Sequence, residues 1–132
     1  MVEVVQEIDF ETEAIARQVV DTCYTVHKQM GPGLLERVYE ACLCHELRKR
    51  EIAFEQQKSV PLYYKGEALN IDHRLDLVID NKVILEIKSV ERQNELFKAQ
   101  LLSYLRLSGM RLGILANFNS NLMKNGIERV VL

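Results

Sequence analysis

A mixed α/β domain is what this sequence predicts, and three observations predict it. Two segments near the N-terminus carry apolar residues at three- and four-residue steps, the period of a helix with one buried face. Short apolar runs separated by turn residues come next, and these read as strands. A third helical segment then interrupts the strands before two more close the chain, giving the order α-α-β-β-β-α-β-β. At 132 residues the chain fits one domain over 1–132, and a domain of that length hides roughly two-thirds of its unfolded surface in one core.

The first helix, about 11–30, is drawn by Ile15, Val19, Cys23, Val26 and Met30, with Glu11 and Glu13 suited to its positive end. Gly31-Pro32-Gly33 ends it, because glycine accepts the cap conformation and proline cannot continue the hydrogen bonding. The second helix runs from about Leu34 to Arg50 with Leu35, Tyr39, Cys42 and Leu43 on its apolar face, and Arg48-Lys49-Arg50 favours its negative end. Residues 60–64 and 68–71 flank a Lys65-Gly66-Glu67 turn, where Pro61 marks an edge strand or a strand's beginning. Residues 75–79 and 83–87 flank a second turn, Asp80-Asn81-Lys82. A helix over about 94–108 stops at Gly109; 112–118 reads as a buried strand and 127–132 as the last, after Lys124-Asn125-Gly126.

The composition, 48% hydrophobic and 27% charged, is that of an ordinary globular protein. Apolar runs of only a few residues fall far short of the ~20 that a membrane helix needs. The start MVEVVQEIDFE does not read as a signal peptide, so a cytoplasmic location and no membrane partner are expected. Cys23, Cys42 and Cys44 lie inside helical patterns and are expected as reduced, buried thiols. Cys42-x-Cys44-His45 suggests zinc, but residues two apart on a helix point in different directions, which favours core packing. A formal charge of −2 excludes a broadly basic nucleic-acid binder. A phosphate-binding surface would be local, drawn from Arg48-Lys49-Arg50, Lys88, Arg92, Lys98, Arg106 and Arg111.

Chemistry enters with the second hairpin. A three-residue loop of Asp80, Asn81 and Lys82 pairs Ile79 with Val83, Leu77 with Leu85 and Leu75 with Ile87, placing six apolar side chains on one face. The same register sets Asp76 opposite Glu86. Opposed residues have Cβ atoms ~5 Å apart, and two carboxylates at that distance repel unless a proton or a cation lies between them. Magnesium and manganese are hard cations that take such oxygen ligands together with waters and phosphate oxygens. Lys88 falls on the same face as Glu86.

Asp76…Glu86-x-Lys88 matches the D…(E/D)-x-K core of the PD-(D/E)XK superfamily. Gly33-Leu-Leu-Glu36-Arg-Val-Tyr39 is a GxxExxY motif, and from the first helix to Val131 the chain resembles the small bacterial and archaeal GxxExxY proteins grouped with those nucleases. Tyr63-Tyr64-Lys65-Gly66, Arg74-Leu-Asp76-Leu, Ala99-Gln100-Leu-Leu-Ser-Tyr104-Leu and Asn117-Phe118-Asn119 carry the resemblance further, and Gln100-x-x-x-Tyr104 looks like the QxxxY motif of exonuclease-like members. The resemblance implies a restriction-endonuclease-like α-β-β-β-α-β core with a mixed central sheet flanked by helices. It implies Mg²⁺ or Mn²⁺ as cofactor, held by Asp76, Glu86 and the Ile87 carbonyl, with Lys88 orienting or deprotonating the attacking water. By the same analogy Glu36 assists, and Gln100 and Tyr104 position Lys88, the water or a nucleotide. The implied partner is DNA or RNA.

Each residue has a plainer reading. Glu36 suits the first turn of its helix without any catalysis. Tyr39 and Tyr104 suit the core, Gln100 suits solvent, and Asp76 and Glu86 suit a charge cluster with Arg74 and Lys88. Leu75 stands where the superfamily's proline would. With no evident recognition subdomain, a catalytically inactive module binding nucleic acid or a protein partner is the alternative function. A homodimer joined through Tyr63 and Tyr64 is a further one.

Overall fold

The computed structural model describes residues 7–132; residues 1–6, which include most of the expected non-signal N-terminus and the start of the 1–132 domain, lie outside the described residues. Asp9 opens helix α1 (Phe10–Met30) by accepting from the Thr12 backbone N–H, the side-chain cap that satisfies an otherwise orphaned donor. Helix α2 is Glu36–Lys49. Strands β1 (Phe54–Tyr64), β2 (Glu67–Ile79) and β3 (Val83–Lys88) follow, then helix α3 (Glu95–Ser108), β4 (Leu112–Asn117), a short 3-10 turn at Met123–Asn125 and β5 (Ile127–Val131).

The five strands form one sheet in the order β1-β2-β3-β4-β5. It is mixed: β3 and β4 run parallel and the other neighbours antiparallel. A parallel pair needs a long crossover, and α3 supplies it. Helices α1 and α2 cover one face, where Val19, Cys23, Val26, Leu43 and Leu47 pack on Leu77, Ile79, Leu85, Ile87 and Ile114. Helix α3 covers the other, where Leu101 and Leu105 meet Val78, Ile84, Leu115 and Val130. Strands β3 and β4, clothed on both faces, are buried almost throughout, which is why their sequences are near-continuous apolar runs. This is the restriction-endonuclease-like arrangement the sequence predicts.

Three sequence expectations change. Segments 68–71 and 75–79 are one strand of 13 residues, and its partner β1 begins at Phe54. The intervening Asp72, His73 and Arg74 lack strand-like apolar alternation, but pairing of His73 with Val60 and of Arg74 with Ser59 carries the strand through them. Pro61 lies where the β1/β2 register shifts, on an edge strand, the place a residue without an N–H is tolerated. Leu75, expected beside Leu77, packs instead in the α3-side cluster. The alternation breaks at Asp76, opposite which Gln57 of β1 takes a left-handed φ of 51°. Cys23, Cys42 and Cys44 are free thiols, and burial pushes Cys23 up to about 12.

Candidate active site

The Asp80-Asn81-Lys82 loop is the three-residue turn expected, with Asp80 and Asn81 both left-handed and Lys82 N–H donating to the Ile79 carbonyl at 3.0 Å. Aspartate and asparagine tolerate that conformation better than most residues. The turn fixes the ladder Ile79↔Val83, Val78↔Ile84 and Leu77↔Leu85. There the ladder ends. One residue further, side chains replace backbone pairing: Ile87 N–H donates to Asp76 Oδ2 at 2.8 Å, and Asp76 N–H donates to Glu86 Oε1 at 3.3 Å. The predicted Leu75–Ile87 pair does not form. A strand residue's N–H and C=O share a side, and the Ile87 N–H is the one turned to β2.

Asp76 and Glu86 thus stand together where two strands part. Glu86 is only 6% exposed. Burial first, and then the neighbouring Asp76 carboxylate, push Glu86 up to about 9. The Lys88 charge pulls the other way, yet its ammonium forms no ion pair with either acid. It lies 4.5 Å from the centroid of the Phe97 ring on α3, a cation–π contact. Tyr104 of α3 is half-buried; burial, then the charges of Glu86 and Asp76, hold its phenol above the ordinary value. The ring of His73 lies against it, centroids 4.6 Å apart.

Gln100 is half-buried and its side chain makes no hydrogen bond among the described residues. Glu36 is the first residue of α2, exposed, and makes no hydrogen bond or ion pair with Asp76 or Glu86. The rest of its motif shapes the entry to α2: Gly33 adopts a φ of 98°, while fully buried Tyr39 donates to the Gly31 carbonyl at 2.6 Å, accepts from Leu34 N–H at 3.1 Å and stacks on Phe118. The plain reading of Tyr39 as a core residue is the observed one. Arg74 bonds Asp72 rather than Asp76. Of the basic residues, Arg50 pairs with Asp21 and Lys98 with Glu128.

Sequence reasoning missed the residues that brace this end of β3. Asn117, 2% exposed, accepts from the Val90 N–H at 3.1 Å and donates to the Val90 carbonyl at 3.0 Å. Ser89 Oγ donates to the Leu34 carbonyl at 2.6 Å, tying the strand's exit to the start of α2. Phe118 N–H donates to the Lys88 carbonyl. Phe97 escaped notice too, since a ring under a lysine nine residues earlier leaves no periodic signature. Only the Asn117-Phe118-Asn119 segment had been noted, and only through the resemblance.

The donor set suits a hard divalent cation. Two carboxylates, one of them buried and holding its proton far above the ordinary range, gain from a positive charge between them. Among the described residues no three His, Cys, Asp or Glu side chains cluster; the Cys42/Cys44/His45 zinc reading is not met. Mg²⁺ does not need three, since one or two carboxylates with waters and substrate oxygens satisfy it. No helix among the described residues is long and apolar enough to cross a membrane.

Comparison with curated proteins and with solved structures found no match. A family model described as the PD-(D/E)XK nuclease superfamily matches residues 13–130, from the first turns of α1 to β5, and spans every site residue named above. On that match and on the five-stranded mixed sheet that brings Asp76 to Glu86-x-Lys88, the chain belongs to the PD-(D/E)XK nuclease superfamily.

Proposed function

We propose that this protein is a Mg²⁺- or Mn²⁺-dependent nuclease of the GxxExxY branch, hydrolysing phosphodiester bonds of DNA or RNA. The observation that carries the reading is the meeting of Asp76 and buried Glu86 at the point where β2 leaves β3. Asp76, Glu86 and the Ile87 carbonyl would hold the ion, which supplies Lewis acidity to the phosphodiester and to the attacking water. Lys88 stabilises the charge that develops on the phosphate and orients the water, and the Phe97 ring under its ammonium sets where that charge stands. Gln100 and Tyr104, four residues apart on one face of α3, position the water or a nucleotide. Glu36 assists from the start of α2.

The test is cleavage of single- and double-stranded DNA and RNA by purified protein with Mn²⁺, with Mg²⁺ and with chelator. Cutting is expected only with metal, and Glu86→Ala is expected to lower it by ~10²–10³-fold, the scale on which losing a preorganised electrostatic group acts. Metal-dependent cutting that survives Glu86→Ala would remove the assignment. Nucleic-acid binding without turnover in any metal would leave the inactive-module reading. That alternative draws on one observation, a Lys88 ammonium resting on Phe97 instead of pairing with the acids.

A further inference from the structure

We infer that the groove between α3 and β2 seats an unstacked nucleobase in the apolar cavity next to the carboxylates, against Tyr104 and His73. Phe97, Gln100, Tyr104 and Leu107 follow one another along α3 at three- and four-residue steps, so they share a face. That face meets the sheet in a fixed order. Lys88 lies over Phe97, the carboxylates are within electrostatic reach of Tyr104, and the His73 ring lies against that tyrosine. Beyond it, Val60, Leu62, Ile71, His73, Tyr104 and Leu107 line a cavity of about 160 Å³.

Four features select a base as the occupant. The volume is below the roughly 300–1,000 Å³ of pockets for whole small molecules and suits one planar ring system. Two aromatic rings, tilted 51° to each other, border the cavity, and unpaired bases stack on such surfaces. His73 Nε2 is buried with no hydrogen-bond partner among the described residues; leaving it so costs free energy, and a turn of the imidazole would bring it to the polar edge of a base that stacks on Tyr104. The position also fits: His73 precedes Asp76 by three residues of extended chain, about 10 Å at ~3.3 Å each, so a strand with its phosphate at the acids presents a neighbouring base here. A base inside a duplex cannot enter, so the preferred substrate is single-stranded or locally unpaired.

The inference rests on the nuclease reading for what occupies the groove, and its test separates the two. The Glu86→Gln chain, used so that no strand is cut, is titrated with short single-stranded oligonucleotides carrying either the fluorescent base 2-aminopurine or an abasic unit at each position in turn. One position is expected to change its fluorescence on binding and to lose roughly ten-fold in affinity when abasic, the scale of one stacked base. Adding His73→Leu, which keeps the bulk and removes the orphaned nitrogen, or Ile71→Asp, at an exposed position on the cavity rim, is expected to erase that discrimination. Equal affinity for every abasic position, discrimination untouched by both variants, or no oligonucleotide binding at all would overturn the inference. Mn²⁺-dependent cutting by the wild-type chain without base discrimination sinks the base site alone. Base discrimination in a chain that never cuts sinks the nuclease reading alone.

Discussion

Glu86 is the residue on which pH acts most directly. Its ordinary value is 4.5 and its folded value about 9, so between those limits the metal-free folded state keeps a proton that the unfolded chain has released. The contribution to stability is complete below 4.5 and is lost as pH rises towards about 9, with a slope of up to about 1.4 kcal/mol per pH unit for one proton. Glu86→Gln removes the titration, so its melting temperature in chelator should exceed that of the wild type near pH 8, with the gap closing near pH 5. Equal pH profiles for the two proteins would mean that Glu86 is not held protonated. Phe97 offers a second residue-scale prediction. A cation–π contact is worth about 0.5–2 kcal/mol, so Phe97→Leu should lower kcat for cleavage roughly 2- to 30-fold with little change in KM, and Phe97→Tyr should restore it. A Phe97→Leu enzyme with wild-type kcat would show that the ring does not position Lys88.

At the scale of elements, the site depends on how the ends of β3 and β4 are tied down. Gly126, between the 3-10 turn and β5, comes so close to β4 that an added Cβ would lie 2.2 Å from the Asn117 carbonyl oxygen. Backbone cannot yield as a flexible side chain can, so Gly126→Ala should cost about 1–3 kcal/mol and weaken Asn117's hold on Val90, lowering both the melting temperature and cleavage. Gly33→Ala is the contrast. Its φ is 98° but nothing lies within 4 Å of a Cβ there, so its cost, about 1 kcal/mol or somewhat more, is backbone strain alone. Calorimetry on both variants checks the order, and an undisturbed Gly126→Ala protein would contradict the close packing of the turn on β4.

For the whole molecule, the two apolar clusters on either side of the sheet carry the stability. Leu85, 1% exposed between the sheet and the α1/α2 layer, should cost about 2–5 kcal/mol on replacement by alanine. A domain's total is only about 5–15 kcal/mol, so denaturant unfolding should show a much lower midpoint; a loss under 1 kcal/mol would mean that the layer collapses around the gap. At this scale the element order, the three-residue turn and the Asp76–Glu86 juxtaposition were legible, because period and register are local properties of a chain with one buried pattern. They stop at Asp76. There the carboxylate takes the Ile87 N–H in place of a backbone partner, Leu75 turns to the α3 side, and no periodic rule foretells that a side chain will end a ladder.

What the sequence determined by itself was therefore the strands, the helices and which two acids could meet, since all three follow from spacing along the chain. Only tertiary structure decided where Lys88 rests, what fixes Tyr39 and Asn117, and that His73 stands beside Tyr104. Those contacts join residues 8 to 79 positions apart, between elements whose approach is set by the packing of two helical layers on one sheet. Packing of that kind depends on shape in three dimensions, to which hydrophobic periodicity carries no key.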